Sequence, residues 1–161
     1  MKQQELDEIL RRGTELTPDT DHLSIEISAT QLNGSCIKSP DSDKVYFVMD
    51  GKKRHIPNMD TFNNLFIDTN GILCATGIVG SVWKAVVEAI EEEEPMTNGA
   101  QLIKADNSKT VYLLTNRKKY GVDSEGQFEA CFFSWGKIKT YPAIIVDAIE
   151  DGKLHVMEPT K

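Results

Sequence analysis

Shifted sixty-six positions along itself, the chain falls into register without a gap over a long central stretch. Ile37-Lys38 meets Ile103-Lys104, Val45-Tyr46 meets Val111-Tyr112, and Lys52-Lys53 meets Lys118-Lys119. Phe62 and Phe66 meet Phe128 and Phe132, Ile72 meets Ile138, and Ile78 meets Ile144. Between them, Phe47-Val48 matches Leu113-Leu114 in kind, and Ile56 matches Val122. A repeat of this length constrains architecture more than any local propensity, because each copy must build the same unit. It also weighs against an enzyme. A catalytic centre needs different groups at one place, whereas a doubled scaffold offers one surface twice.

Hydrophobic periodicity fills in the unit. In the first, a short strand spans 35–38 and a Ser39-Pro40-Asp41-Ser42-Asp43 turn follows. A hairpin of 45–49 and 52–56 closes through Asp50-Gly51, a pair that tolerates positive φ. Asn58 is placed to cap a helix over 59–66, a strand near 71–75 comes next, and a helix over 78–92 buries a Val/Trp/Ile stripe. The second unit copies this from Gly99, with Asn116-Arg117 as its hairpin turn, Asp123 or Ser124 as its cap, and Pro142 opening its last helix. Over Val87 to Glu92 and Val146 to Asp151 the offset falls to fifty-nine. Before the units, Leu6, Ile9 and Leu10 predict a helix over 3–12 stopped by Gly13, and the alternation of Leu23, Ile25 and Ile27 predicts a strand over 22–28. The tail over 153–157 alternates as a strand does. The expected fold is α+β: two tandem β-hairpin-plus-helix repeats sharing one core, with an N-terminal helix and strand. The expected division is 1–32, 33–98 for the first unit and 99–161 for the second with its C-terminal strand, in one compact domain.

Among the 161 residues the net charge is −7, which argues against a general nucleic-acid binder. No segment is apolar for long enough to cross a bilayer, and the polar N-terminus lacks a signal-peptide core. Cys36, Cys74 and Cys131 are odd in number, widely spaced and set among apolar residues, as reduced core cysteines are. These features predict a cytoplasmic location, or an exported, surface-associated one if a leader precedes the sequence.

The units resemble a short tandem repeat of bacterial surface and secreted proteins. The matching residues are Ile37-Lys38, Val45-Tyr46-Phe47-Val48, Asp50-Gly51-Lys52-Lys53-Arg54-His55-Ile56-Pro57-Asn58, Thr61-Phe62 and, in the second unit, Ser134-Trp135. The resemblance implies an accessory binding element without a catalytic signature. The second unit departs from the pattern at Tyr120-Gly121-Val122-Asp123, where the family has Arg-x-Ile-Pro.

Four constellations bear on chemistry. Cys36 and His55, on strands expected to be neighbours, would make a thiol–imidazole pair in a small cysteine-dependent enzyme. Asp41 and Asp43 begin like a calcium loop but lack its glycine and distal glutamate, so a turn is expected. Glu91-Glu92-Glu93-Glu94, at a helix C-terminus, is expected to fray into a solvated linker. The basic strands are the leading candidate: Lys52, Lys53, Arg54 and His55, and Lys118, Lys119 and Tyr120, with Tyr46 and Tyr112 on the facing strands. A cation beside an aromatic ring holds a sugar, an acidic polymer or a carboxylated partner. The alternative is edge protection by lysine. The reading is therefore a non-catalytic interaction module for an envelope polysaccharide or a protein partner. A cysteine enzyme and a local anion or nucleic-acid binder are the alternatives. No cofactor, metal or transmembrane segment is expected.

Overall fold

The computed structural model describes residues 1–16 and 27–159, with the backbone alone over 12–16. Among these the chain forms five α-helices and nine strands in two mixed sheets, an α+β fold. The first half carries α1 (Gln3–Leu16), β1 (Cys36–Ile37), β2 (Tyr46–Met49), β3 (Lys52–His55), α2 (Met59–Leu65), β4 (Ile72–Leu73) and α3 (Gly77–Ala89). The second carries β5 (Gln101–Ala105), β6 (Val111–Thr115), β7 (Lys118–Gly121), α4 (Glu125–Ala130), β8 (Lys139–Tyr141), α5 (Ala143–Ala148) and β9 (Glu150–Asp151). Strand orders are β3-β2-β1-β4 and β8-β5-β6-β7-β9.

Adding sixty-six to the antiparallel partners in the first sheet gives partners in the second. Ile37 opposite Tyr46 becomes Ile103 opposite Tyr112, and Tyr46 opposite His55 becomes Tyr112 opposite Gly121. The parallel pairing of Ile37 with Leu73 becomes that of Ile103 with Lys139. Local chemistry matches too. The Asn58 side chain accepts from Thr61 N at 2.8 Å to start α2, and Ser124 accepts from Gln127 N at 3.1 Å to start α4. Both hairpin turns hold two residues at positive φ, Asp50-Gly51 and Asn116-Arg117, the twist a two-residue hairpin needs.

Alternation along the strands sorts the core into layers. Phe47 and Met49, with Val111 and Leu113, face a cluster shared by both sheets, joined there by Phe62, Leu65 and Phe66 of the first half and Phe128 and Phe133 of the second. Val48 faces the other side of the first sheet, where α1 supplies Leu6 and Leu10 and α3 supplies Trp83 and Val87. The matching outer face of the second sheet has a smaller cover, Val146 of α5 on Ile103 and Ala105. The halves join where the chain leaves α2 and α4. Phe66 pairs with Phe133 in an antiparallel bridge, and Ile67 N donates to Phe132 O at 3.1 Å. The sixty-six-residue shift exchanges these two pairs, as a local two-fold relation requires.

Some expectations are corrected. The helix α1 runs through Gly13 to Leu16; an interior glycine costs only about 1 kcal/mol and does not stop a helix by itself. The strand expected over 22–28 lies outside the described residues up to 26, and Ser28 caps a 3-10 turn over Ala29–Leu32. The tail after β9 is a run of turns that seats Val156 and Met157 in the shared cluster. Edge closure of the second sheet falls to β9, which pairs in parallel with β7.

Arg117 holds a φ of 66° in the second hairpin turn, where the first has Gly51. A side chain there costs about 1–2 kcal/mol, against about 0.5–1 kcal/mol of chain entropy for glycine. Arg117→Gly is expected to stabilise the fold by up to about 1 kcal/mol, read as a higher urea midpoint at unchanged slope. A lower midpoint would mean that the arginine side chain contributes more than its backbone strain costs.

Candidate functional site

The basic strands turn much of their charge inward. Lys53 and Lys119 are buried, at 7% and 5% exposure. The Lys53 ammonium donates to Val87 O at 2.7 Å, at the C-terminal end of α3. Lys119 donates to Val146 O at 3.0 Å and Ile149 O at 2.7 Å, at the end of α5, and meets Asp151 at 3.3 Å. A cation there satisfies orphan carbonyls and opposes the negative end of the helix dipole. Tyr46 and Tyr112 lie under these ammonium groups, 4.9 and 5.4 Å from ring centre to nitrogen. The four residues form two matched caps.

The remaining members of the basic set are largely engaged as well. The acidic run pairs with β3: Lys53 N donates to Glu91 O, and Glu93 N to Lys53 O, both at 2.9 Å. Lys52 meets Glu93 at 2.9 Å, and that contact holds its ammonium above, and the Glu93 carboxyl below, their ordinary ranges. Arg54 donates to Glu94 O at 2.8 Å. The frayed linker expected for Glu91–Glu94 is thus a neutralising edge segment, because unlike charges face each other across adjacent backbones. His55 packs its ring on Tyr46 at 5.7 Å. Lys118 lies 3.9 Å from Glu150, and Tyr120 is buried against the Gly152 backbone, where a β-carbon would come within 2.3 Å of its ring.

Cys36 and His55 do not meet. Their strands, β1 and β3, flank β2, which puts the backbones about 9–10 Å apart. Cys36 and Cys131 line a cavity of about 500 Å³ that has no histidine in its wall. Burial pushes the Cys131 thiol up to about 12, and burial followed by the nearby Cys131 pushes Cys36 well above its ordinary range. Both are poor nucleophiles at neutral pH. Asp41 serves its turn, accepting from Ser39 Oγ at 2.6 Å and pairing with Lys84 at 2.7 Å.

A groove that sequence reasoning missed lies at the open end of each hairpin. In the first half it is about 260 Å³, lined by Asp43, Lys44, Val45, His55, Ile56, Pro57, Asn58, Met59 and Phe62. Each of these nine positions, moved by sixty-six, lines a groove of about 860 Å³ in the second half. Its floor is apolar, with Val111, Val122, Phe128 and Ile138. Three exchanges accompany the larger groove. Gly121 stands in place of His55, so the ring that packs on Tyr46 has no counterpart at that position beside Tyr112. Lys109 stands in place of Asp43, and Trp135 in place of Thr69. Trp135 is 47% exposed and stacks on Phe128 at 3.9 Å and 25°. The sequence signal for this site was the set of positions where the copies differ, rather than those where they agree.

The tail forms one lip of the groove through Asp151, Gly152 and Leu154. It is held by Asp50 N donating to Val156 O at 2.7 Å and by His155 Nδ1 against Asp123 at 2.5 Å and Glu158 at 3.3 Å. Those three side chains are the one set among the described residues that could together reach a cation; here they hold one another. No helix among the described residues is long and apolar enough to cross a membrane. No protein-family model, curated protein or solved structure matches the chain.

Lys53→Met and Lys119→Met keep the aliphatic stems and remove the caps. Each is expected to cost about 1–3 kcal/mol in urea unfolding, while exposed Lys44→Met should stay within about 0.5 kcal/mol. Equal small effects at all three positions would mean that the caps add nothing. Thiol titration of the native protein is expected to reach half-buried Cys74 first, with Cys36 and Cys131 reacting only on unfolding, for a total of three free thiols. Rapid native labelling of Cys36 would contradict its burial.

Proposed function

We propose that the chain is a non-catalytic binding module, a tandem duplication in which the second copy has become the binding copy, and that it takes an oligosaccharide in the second-half groove. The observation that carries this reading is the matched pair of grooves. One frame is present twice, and the larger copy combines an exposed tryptophan with an apolar floor and a polar rim. Such a concave, mostly apolar surface with a few polar groups is the usual form of a small-ligand site. The apolar face of a sugar ring packs on a flat indole while its hydroxyls reach rim side chains. Stacking on Phe128 fixes the indole beforehand, so less rotamer entropy is lost on binding.

A saccharide fits better than an extended peptide for a backbone reason. Strands β5, β6 and β7 have partners on both sides. Their edges are therefore closed to the added strand by which many peptides dock, and the edges left open are the short strands β8 and β9. A protein partner is favoured by a different feature, Ile78 and Ile144, which are 72% and 81% exposed at equivalent places in α3 and α5. Small exposed apolar groups of this kind, here with Ile145 at 50% beside Ile144, are common on surfaces without partners.

Gly121→His gives the second groove the side chain that occupies the first. A β-carbon there meets Leu154 at 3.7 Å and Tyr112 at 3.9 Å, ordinary contact distances, so the fold should tolerate it. In NMR titration with a glycan panel, the Trp135 indole signal should shift on binding. Gly121→His should weaken that binding at least about ten-fold, equivalent to about 1.4 kcal/mol, without lowering the unfolding midpoint. Binding that leaves the Trp135 signal and the Gly121→His variant unaffected would remove the groove as the site.

A further inference from the structure

The rim of the second groove carries two unpaired cations in a chain whose net charge is −7. Lys104 and Lys109 line it, and among the described residues neither ammonium group has a hydrogen-bond or ion-pair partner. This sets them apart from the basic residues of the strands. Lys52, Lys53, Arg54, Lys118 and Lys119 are all held by carboxylates or backbone carbonyls. The first half shows how the same frame is neutralised. Lys38, which matches Lys104, donates to Ser42 O at 3.3 Å, and Asp43 stands where Lys109 does. The second groove has lost both arrangements.

Its carboxylates are mostly spoken for. Asp151 pairs with Lys119 at 3.3 Å and Asp123 lies 2.5 Å from His155 Nδ1, so of the three carboxylates in the wall Glu125 alone has no side-chain partner among the described residues beside the two unpaired ammonium groups. Beside an aromatic floor, unpaired cations in a concave site raise the local concentration of anions and fix the orientation of a carboxylate. Resting on the reading of the groove as a saccharide site, we propose that its ligand is an acidic oligosaccharide. One sugar face would lie on Trp135, and a ring carboxylate would lie between Lys104 and Lys109.

The test uses short uronate oligosaccharides and the same oligomers with their carboxyl groups methyl-esterified, with intrinsic fluorescence and calorimetry as readouts. Trp135 is half exposed and Trp83 is buried; because Trp135 also borders the cavity at Cys36 and Cys131, a fluorescence change lost in Trp135→Phe and weakened in Gly121→His reports the groove. The uronate should bind, the ester should bind at least about ten-fold more weakly, and 1 M salt, where screening falls to about 3 Å, should abolish the difference. Lys104→Ala/Lys109→Ala should weaken the uronate about ten-fold and leave the ester unchanged. If ester and uronate bind alike at Trp135, the acidic class is wrong and the groove stands. If neither moves the Trp135 signal, the saccharide reading falls with it. If a short polyglutamate binds as tightly with the same lysine dependence, the ligand is an acidic peptide, and the saccharide class is overturned.

Discussion

Each sheet has an inner face that its own half cannot cover, and the aromatic cluster between the halves is what covers both. Phe47 touches Phe66 and Phe133, Phe66 meets Phe62 at a tilt and stacks on Phe133, and Phe133 meets Phe128, with ring centres 4.9 to 5.8 Å apart. Every one of these rings is at most 1% exposed. Burial of this much aromatic surface dominates the energetics of a core. It also positions the grooves, since the cap residue and first turn of α2 and α4, which form one groove wall, lead into the helices that carry Phe62 and Phe128.

The second organising element is the inward lysine. A buried ammonium is costly without partners, and here each has a helix end, a tyrosine face and an adjacent acidic segment. Because Lys53 and Lys119 sit on strands and reach helices later in the chain, they tie each sheet to its crossover helix. This arrangement also spends the basic hairpins internally. What remains unpaired at the surface of the second groove is therefore a smaller, more specific set of cations than the sequence suggested.

The hairpins, helix caps and the sixty-six-residue offset were legible because they depend on local turn chemistry and on period. The registers of the second sheet follow from those of the first by the same offset, and the shift to fifty-nine reappears in the pairing of Lys53 with Glu92 and of Lys119 with Asp151. Which way a lysine points was not legible. Lys52 and Lys53 read alike in sequence, and only the position of the α3 terminus decides which of them is buried. The groove was hidden for a related reason: Val111, Val122 and Phe128 look like any core residues, and Gly121 marks its site by a side chain it lacks. Cys36 and His55 were misplaced because two strands of one unit need not be adjacent when a third lies between them.

The junction at Phe66 and Phe133 relates each half to the other by exchange rather than by translation. A surface that pairs with its own counterpart is used up once the pair has formed. Nothing of it is left over to receive a third unit, in contrast to a solenoid, whose every repeat exposes a fresh docking face. A chain carrying more of these units would lengthen by whole doublets, as beads on a string, and would contain an even number of them.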